Sequence, residues 1–306
     1  MNRLEKNVTK LPVIALVALL CNFLWGSASP CIKLGYEWFK IDTTSMWSVM
    51  LFAGVRFTLA GFMVIVIQSI MSRSLILPHR SSWPKVLTLS AFQTVLQYIF
   101  FYGGLAHASG VKCSIINGSN TFFAILVACL IFRLDKLTGR KILGCILGFA
   151  GVVLVNLNGG GLEGGMSFMG EGFILLCAVS YAVSNSLIKI YSRTESPVMM
   201  SGYQFFVGGI ILSIIGLAGG GRISYVDGRA ALMLFYLACI SAVSYTLWGI
   251  LLKYNPVSKV AVFGFMNPIF GVVLSAWWLG EASNFGWQVL VALALICCGI
   301  YVVNRE

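Results

Sequence analysis

The sequence predicts an all-α integral membrane protein: ten transmembrane helices arranged as two inverted five-helix repeats. Three observations carry this prediction, namely composition, the spacing of apolar runs, and the overlay of one half of the chain on the other. Of 306 residues, 58% are hydrophobic and only 10% charged, against a soluble average of about 25% charged. The chain is therefore matched to lipid and leaves no stretch for a separate soluble domain. A helix needs about 20 apolar residues to cross a hydrocarbon core of about 30 Å, and runs of that length recur from end to end.

Taken in order, the first repeat (11–156) holds spans at 11–34, 46–71, 84–106, 113–132 and 138–156. A glycine-rich junction loop, 157–167, follows, and the second repeat (168–304) holds spans at 168–191, 197–218, 230–252, 257–279 and 284–304. Pro12, Pro84, Pro197 and Pro256 are placed in the first turn of a helix, where a missing N–H costs nothing. Pro30 and Pro268 fall inside spans, where each frees a carbonyl that neighbouring helices must satisfy.

The net charge of +11 is spread singly between apolar runs, which speaks against a nucleic-acid partner and instead reports topology. With the N-terminus cytoplasmic, the inner segments hold fifteen of the 21 basic residues, among them Arg73, Arg80, Arg133, Arg140 and Arg193. The outer segments hold Lys33, Lys40, Lys112, Arg222 and Arg229, so both termini are expected in the cytoplasm.

The halves overlay: Cys21-Asn22-Phe23-Leu24-Trp25 lies over Cys177-Ala178-Val179-Ser180-Tyr181, Arg56-Phe57 over Gln204-Phe205, Lys112 over Lys259, and Asn120 over Asn267. Five spans is an odd number, so the second copy enters the membrane from the opposite side, the arrangement from which alternating-access transporters are built.

Phe23-Leu24-Trp25-Gly26-Ser27, Arg56-Phe57, and Asn267-Pro268-Ile269-Phe270 leading to Trp278-Leu279-Gly280-Glu281 resemble the drug/metabolite transporter superfamily, and within it the EamA-like families. The resemblance implies a carrier of amino acids, other metabolites or toxic analogues, usually outward in bacteria; relatives carry sugars or nucleotide sugars. The fourth span departs from the pattern, with Thr121 where the ninth has Pro268.

Arg56 is the one charge expected well inside a span, where an unpaired charge costs a few kcal/mol or more. Two readings stand: a guanidinium facing a central cavity that meets a substrate carboxylate or phosphate, or a structural donor to carbonyls of broken helices. Trp25, Gln93, Gln97, Tyr98, Asn117, Asn120, Tyr181, Asn185, Tyr203, Gln204, Tyr245, Trp248 and Asn267 are the further candidates for the cavity wall. Hydrogen bonding between spans is the competing role for each. Aromatic faces beside amides suit an uncharged or zwitterionic organic solute. Glu281, Pro30 and Pro268 are assigned to gating or structure, and the remaining acids to loops and span ends.

With His79 and His107 the only histidines and the nine cysteines in no C-x-x-C pair, neither metal nor cofactor is expected. The expected function is secondary transport of a small organic metabolite such as an amino acid, in the outward direction, across a cell (inner) membrane. A sugar or nucleotide-type solute is the second reading. An intramembrane lipid-modifying enzyme is the third, and it lacks a convergent nucleophile or acid–base pair. The expected partners are the solute and the lipid bilayer, with the chain a monomer or homodimer.

Overall fold

The computed structural model describes residues 7–105, 107, 115–156, 167–278 and 287–305, and among these the secondary structure is entirely helical. In chain order the helices are α1 (Leu11–Trp38), α2 (Met46–Ser72), α3 (Arg80–Leu105), α4 (Ile115–Ile131), α5 (Gly139–Asn156), α6 (Phe168–Tyr191), α7 (Pro197–Ala218), α8 (Gly228–Tyr254), α9 (257–278) and α10 (Trp287–Asn304). Eight are long and apolar enough to cross a membrane: α1, α2, α3, α6, α7, α8, α9 over Val257–Leu274, and α10. Residues 157–166 of the expected junction loop, and Glu281, lie outside the described residues.

Local chemistry sets the helix ends. Ser45, Ser196 and Asp227 each accept from the backbone N–H three residues on, starting α2, α7 and α8. Pro12, Pro84 and Pro197 occupy first turns, whereas Pro256 sits one position earlier, as the extended residue before Val257. At the start of α6 the Ser167 hydroxyl accepts from Gly170 N–H, while the Glu171 carboxylate accepts from Ser167 N–H at 2.8 Å. This is a reciprocal cap with one residue more than the usual spacing, because Phe168–Gly172 is a π turn. It ties down a carboxylate that is otherwise buried. α1 runs four residues past the expected end at 34, since Tyr36 and Phe39 pack edge-on against Phe52 of α2 at 5.4 and 5.3 Å.

Large apolar side chains stand exposed around the bundle, among them Leu16, Ile70, Met71, Ile131, Ile214 and Leu232. A water-soluble chain does not leave so many uncovered; here lipid covers them. The chain is a multi-pass membrane protein.

Two ends of the bundle are distinguished by contacts. The terminal face gathers Val8, Ile76, Lys85, Asp135, Glu195 and Asn255. The opposite face gathers Ser48, Arg222 and the Lys40 ammonium over the Tyr225 ring, with Gly104 against Gly170. It also carries the ends of α5 and α6 that flank residues 157–166, and is called the junction face.

At the centre α2 and α7 cross backbone to backbone. A Cβ on Gly54 would lie 2.9 Å from Gly209 O, and one on Gly61 2.5 Å from Gly202 O. α5 and α10 meet similarly, Gly299 facing Gly144 O. In lipid, where burial supplies no hydrophobic drive between helices, small residues allow the close approach from which packing energy comes.

Gly61→Val should therefore destabilise the fold by about 1–3 kcal/mol, the usual range for overpacking, seen as a lower melting temperature in detergent. Gly139→Ala, whose Cβ meets nothing within 4 Å, should melt like the parent.

Candidate solute cavity

Two helices depart from α geometry where the cavity forms. α3 contains a π segment, Ala91–Leu96, immediately before the stretch that lines the cavity. The extra residue re-aims Gln97, Tyr98, Phe101 and Tyr102 inward, and α6 takes up a backbone acceptor in that segment, the Ser180 hydroxyl donating to Phe92 O at 2.6 Å. In α9, Pro268 has no N–H for Gly264 O, and the chain tightens to a 3₁₀ turn over Val262–Phe265. Gly264 then lies against Thr121 Oγ1 of α4, where a Cβ would come within 2.5 Å. Besides those of α3 and α6, a third π segment ends α4 at Val127–Ile131, away from the cavity.

These elements enclose a cavity of about 380 Å³ between α1, α2, α3, α4, α6, α8 and α9. It occupies the half nearer the junction face, lined by the last turns of α3, the first turns of α4 and the middle of α6. Arg56 reaches it from α2, 3% exposed. Its Nη2 and Nε donate to the Ser241 hydroxyl at 2.9 and 3.3 Å, and the guanidinium lies 4.9 Å from the Phe57 ring centre. Among the described residues no carboxylate pairs with it, and none lines the cavity. Among the described residues the hydrogen-bond partner of the guanidinium is the Ser241 hydroxyl of α8, which holds it in place.

Around Arg56 the wall is aromatic. Trp25 packs edge-on to Tyr245 and Trp248, both at 5.1 Å. The Tyr98 and Tyr245 hydroxyls are 3.4 Å apart, and Phe57 and Phe205 stack at 5.2 Å beneath them. Several buried polar atoms of the wall have no protein partner: Trp25 Nε1, Gln97 Oε1, Asn22 Oδ1 and Asn120 Oδ1. Each such atom costs about 1–3 kcal/mol unless something bonds to it, so a donor and several acceptors stand ready beside the cation.

Of the residues expected at the wall, the structure brings together Arg56, Trp25, Gln97, Tyr98, Asn117, Asn120, Tyr181, Tyr245 and Asn267, with Pro268. Five lie elsewhere. Trp248 Nε1 donates to Asn185 Oδ1 at 2.8 Å, forming a packed floor. The Tyr203 hydroxyl donates to Ile76 O at the terminal face. Gln204 Oε1 accepts from the Thr94 hydroxyl at 2.6 Å. Gln93 is fully buried, with neither amide atom paired. Pro30 is buried within α1 outside the wall. Asn22, Tyr102 and Thr121 line the cavity without having been singled out. Helical spacing was the available signal: Asn22 is i−3 from Trp25, and Tyr102 and Thr121 are i+4 from Tyr98 and Asn117.

Toward the terminal face the bundle is closed by links between distant segments. Asp135 Oδ2 accepts from Ser258 N–H at 2.9 Å, Asn255 Nδ2 donates to Val8 O at 3.2 Å, and Lys189 Nζ donates to Asn255 O at 2.8 Å. Lys85 Nζ donates to Glu195 Oε1 at 2.7 Å and holds that carboxyl below its ordinary value.

A membrane-embedded helical bundle with a polar chamber among its helices is the build of a membrane transporter. The EamA-like transporter family matches residues 12–157 and again 168–305, and the chain belongs to this family, within the drug/metabolite transporter superfamily. An uncharacterized transporter of Bacillus subtilis (strain 168), YvbV, is 26% identical over 300 residues, covering 94% of this chain and 92% of that one. A protein of Salmonella typhimurium (strain LT2) named a probable amino-acid metabolite efflux pump is 27% identical over 302 residues, covering 94% and 93%. A crystal structure 18% identical in sequence superposes with a TM-score of 0.77 over 96% of each chain, so the fold is shared.

The lowered pKa of Glu195 means its link to Lys85 contributes at neutral pH and is lost as pH falls through the folded value. Glu195→Gln should cost below about 1 kcal/mol at pH 7, as for exposed pairs. The difference from the parent should shrink in melts run toward pH 4.

Proposed function

We propose that the protein is a secondary transporter of a small zwitterionic metabolite, an amino acid or a close relative, working by alternating access. The observation that carries this reading is Arg56, a buried guanidinium on the cavity with no carboxylate partner among the described residues. A solute carboxylate would supply the missing charge through bidentate hydrogen bonds. The solute ammonium would meet the unpaired carbonyl oxygens of Asn22, Gln97 and Asn120, and its side chain the aromatic wall of Trp25, Tyr98 and Tyr245. The printed name of the Salmonella relative points to the same class of solute.

The architecture in this reading is ten crossings in two inverted repeats, 11–156 and 168–304, joined by the loop at 157–167. Paired contacts support it. Gly54 meets Gly209 as Gly61 meets Gly202, and Phe57 stacks on Phe205, its sequence counterpart. A two-fold relation between copies produces such reciprocal pairs. In this reading the membrane is a cell (inner) membrane and the basic terminal face lies in the cytoplasm, an orientation the charge bias supports; the conformation is then outward-facing, with its cytoplasmic side shut by the Asp135, Asn255 and Glu195 links. Rocking of the repeats about the α2–α7 crossing would open that side instead, with export as the physiological direction.

Proteoliposomes loaded with labelled amino acids should show efflux accelerated by an unlabelled amino acid on the opposite side. Arg56→Gln should weaken half-saturation roughly 10- to 100-fold, the equivalent of losing a charge-assisted hydrogen bond of about 1.5–3 kcal/mol. Efflux indifferent to that substitution, or restricted to solutes without a carboxylate, would overturn the reading.

A further inference from the structure

Gln93 and Gln204 lie outside the cavity, on its terminal-face side, and the packing there leaves them incompletely bonded. Gln93 is fully buried, and both its Nε2 and Oε1 lack a partner; Gln204, also fully buried, has an unpaired Nε2. A buried amide with both ends unsatisfied is costly, and an apolar side chain of similar size would relieve it. Gln93 stands one turn below Gln97, whose own unpaired Oε1 belongs to the cavity wall. The column of unpaired amides on α3 therefore continues past the cavity floor into the closed half.

Gln204 has a particular place in the duplicated pattern. It is the sequence counterpart of Arg56. At the separation of 147 residues that relates Tyr98 to Tyr245, Thr94 corresponds to Ser241. The Arg56 guanidinium donates to the Ser241 hydroxyl, and the Gln204 side chain accepts from the Thr94 hydroxyl at 2.6 Å. The two pairs are thus the same contact made twice, once at the cavity and once in the closed half, where Thr94 follows Gln93 in α3. If the repeats exchange conformations during transport, the position that Arg56 holds at the open chamber is held by Gln204 at the chamber that opens toward the terminal face.

We propose that Gln93 and Gln204 form a second, uncharged polar station of the solute path, on the terminal-face side, whose amide N–H groups bind the solute carboxylate once that half opens. The proposal rests on the carrier reading above. It gives the unpaired Nε2 groups of Gln93 and Gln204 an acceptor in the other conformation, and it makes the two stations chemically unequal, a guanidinium on one side and amides on the other.

The test uses full-length protein in proteoliposomes. Gln93→Leu should melt at or above the parent temperature and should still bind labelled amino acid at the cavity. It should exchange that amino acid at least tenfold more slowly, with Gln93→Asn recovering part of the rate. Gln93→Leu exchanging at the parent rate would reduce Gln93 to a packing residue and overturn the proposal. A separate arm needs no transported solute: in Gln93→Cys the introduced thiol should react with a thiol reagent added at the terminal face, above the background of the parent. An unreactive thiol at that position would also overturn the proposal. If the parent exchanges no amino acid yet the introduced thiol reacts, the solute assignment fails and the path assignment stands.

Discussion

Hydrocarbon offers no hydrogen bonds, so a chain inside it must satisfy its backbone polar groups from within. This constraint decides where the protein can depart from the α-helix. The π segment of α3 is tolerated because Ser180 of α6 donates to Phe92 O, and the 3₁₀ turn of α9 faces the cavity and Thr121. Irregular backbone thus marks the places where helices meet protein or a polar chamber. The cavity is built from those places: without the π segment, Gln97 and Tyr98 would be turned about their helix and the chamber would lose one wall.

The central crossing and the buried cation have complementary roles. Gly54, Gly61, Gly202 and Gly209 let α2 and α7 touch through their backbones, and this brings Phe57 onto Phe205 and Arg56 within reach of Ser241 on α8. The guanidinium is fixed by a neutral hydroxyl, which orients it without cancelling its charge. A carboxylate in the place of Ser241 would have formed a buried pair and left nothing for a solute.

Much of this was legible in the sequence, because lipid imposes long uniform apolar runs and caps that are chemically explicit. Ser45, Ser196, Asp227 and the first-turn prolines mark helix starts as plainly as their chemistry predicts. Arg56 was legible for the same reason, as the one charge well inside a span, away from its ends. The cavity wall was harder to read. A π turn leaves no residue signature, so the face that α3 presents beyond Leu96 does not follow from counting in steps of 3.6. Gln93 and Gln97 would share a face of a regular α-helix, yet with the π segment between them one lines the cavity and the other is sealed beneath it. Trp248 and Tyr245 divide in the same way, Trp248 being taken by Asn185. Asn22, Tyr102 and Thr121 show the opposite failure, since small or ordinary polar residues on a helix gain significance only when neighbouring faces converge.

The charge on Arg56 has a consequence for energetics that geometry alone does not display. The described wall of the chamber holds one cation and no carboxylate, so in a carrier that moves the solute alone the net charge carried in each turnover would be that of the solute. A zwitterion adds none, and the electrical potential across the bilayer then does no work on its passage. A solute with one net negative charge would be driven by about 2.3 kcal/mol for every 100 mV. In such a carrier the response of the flux to voltage would count the charges on the cargo.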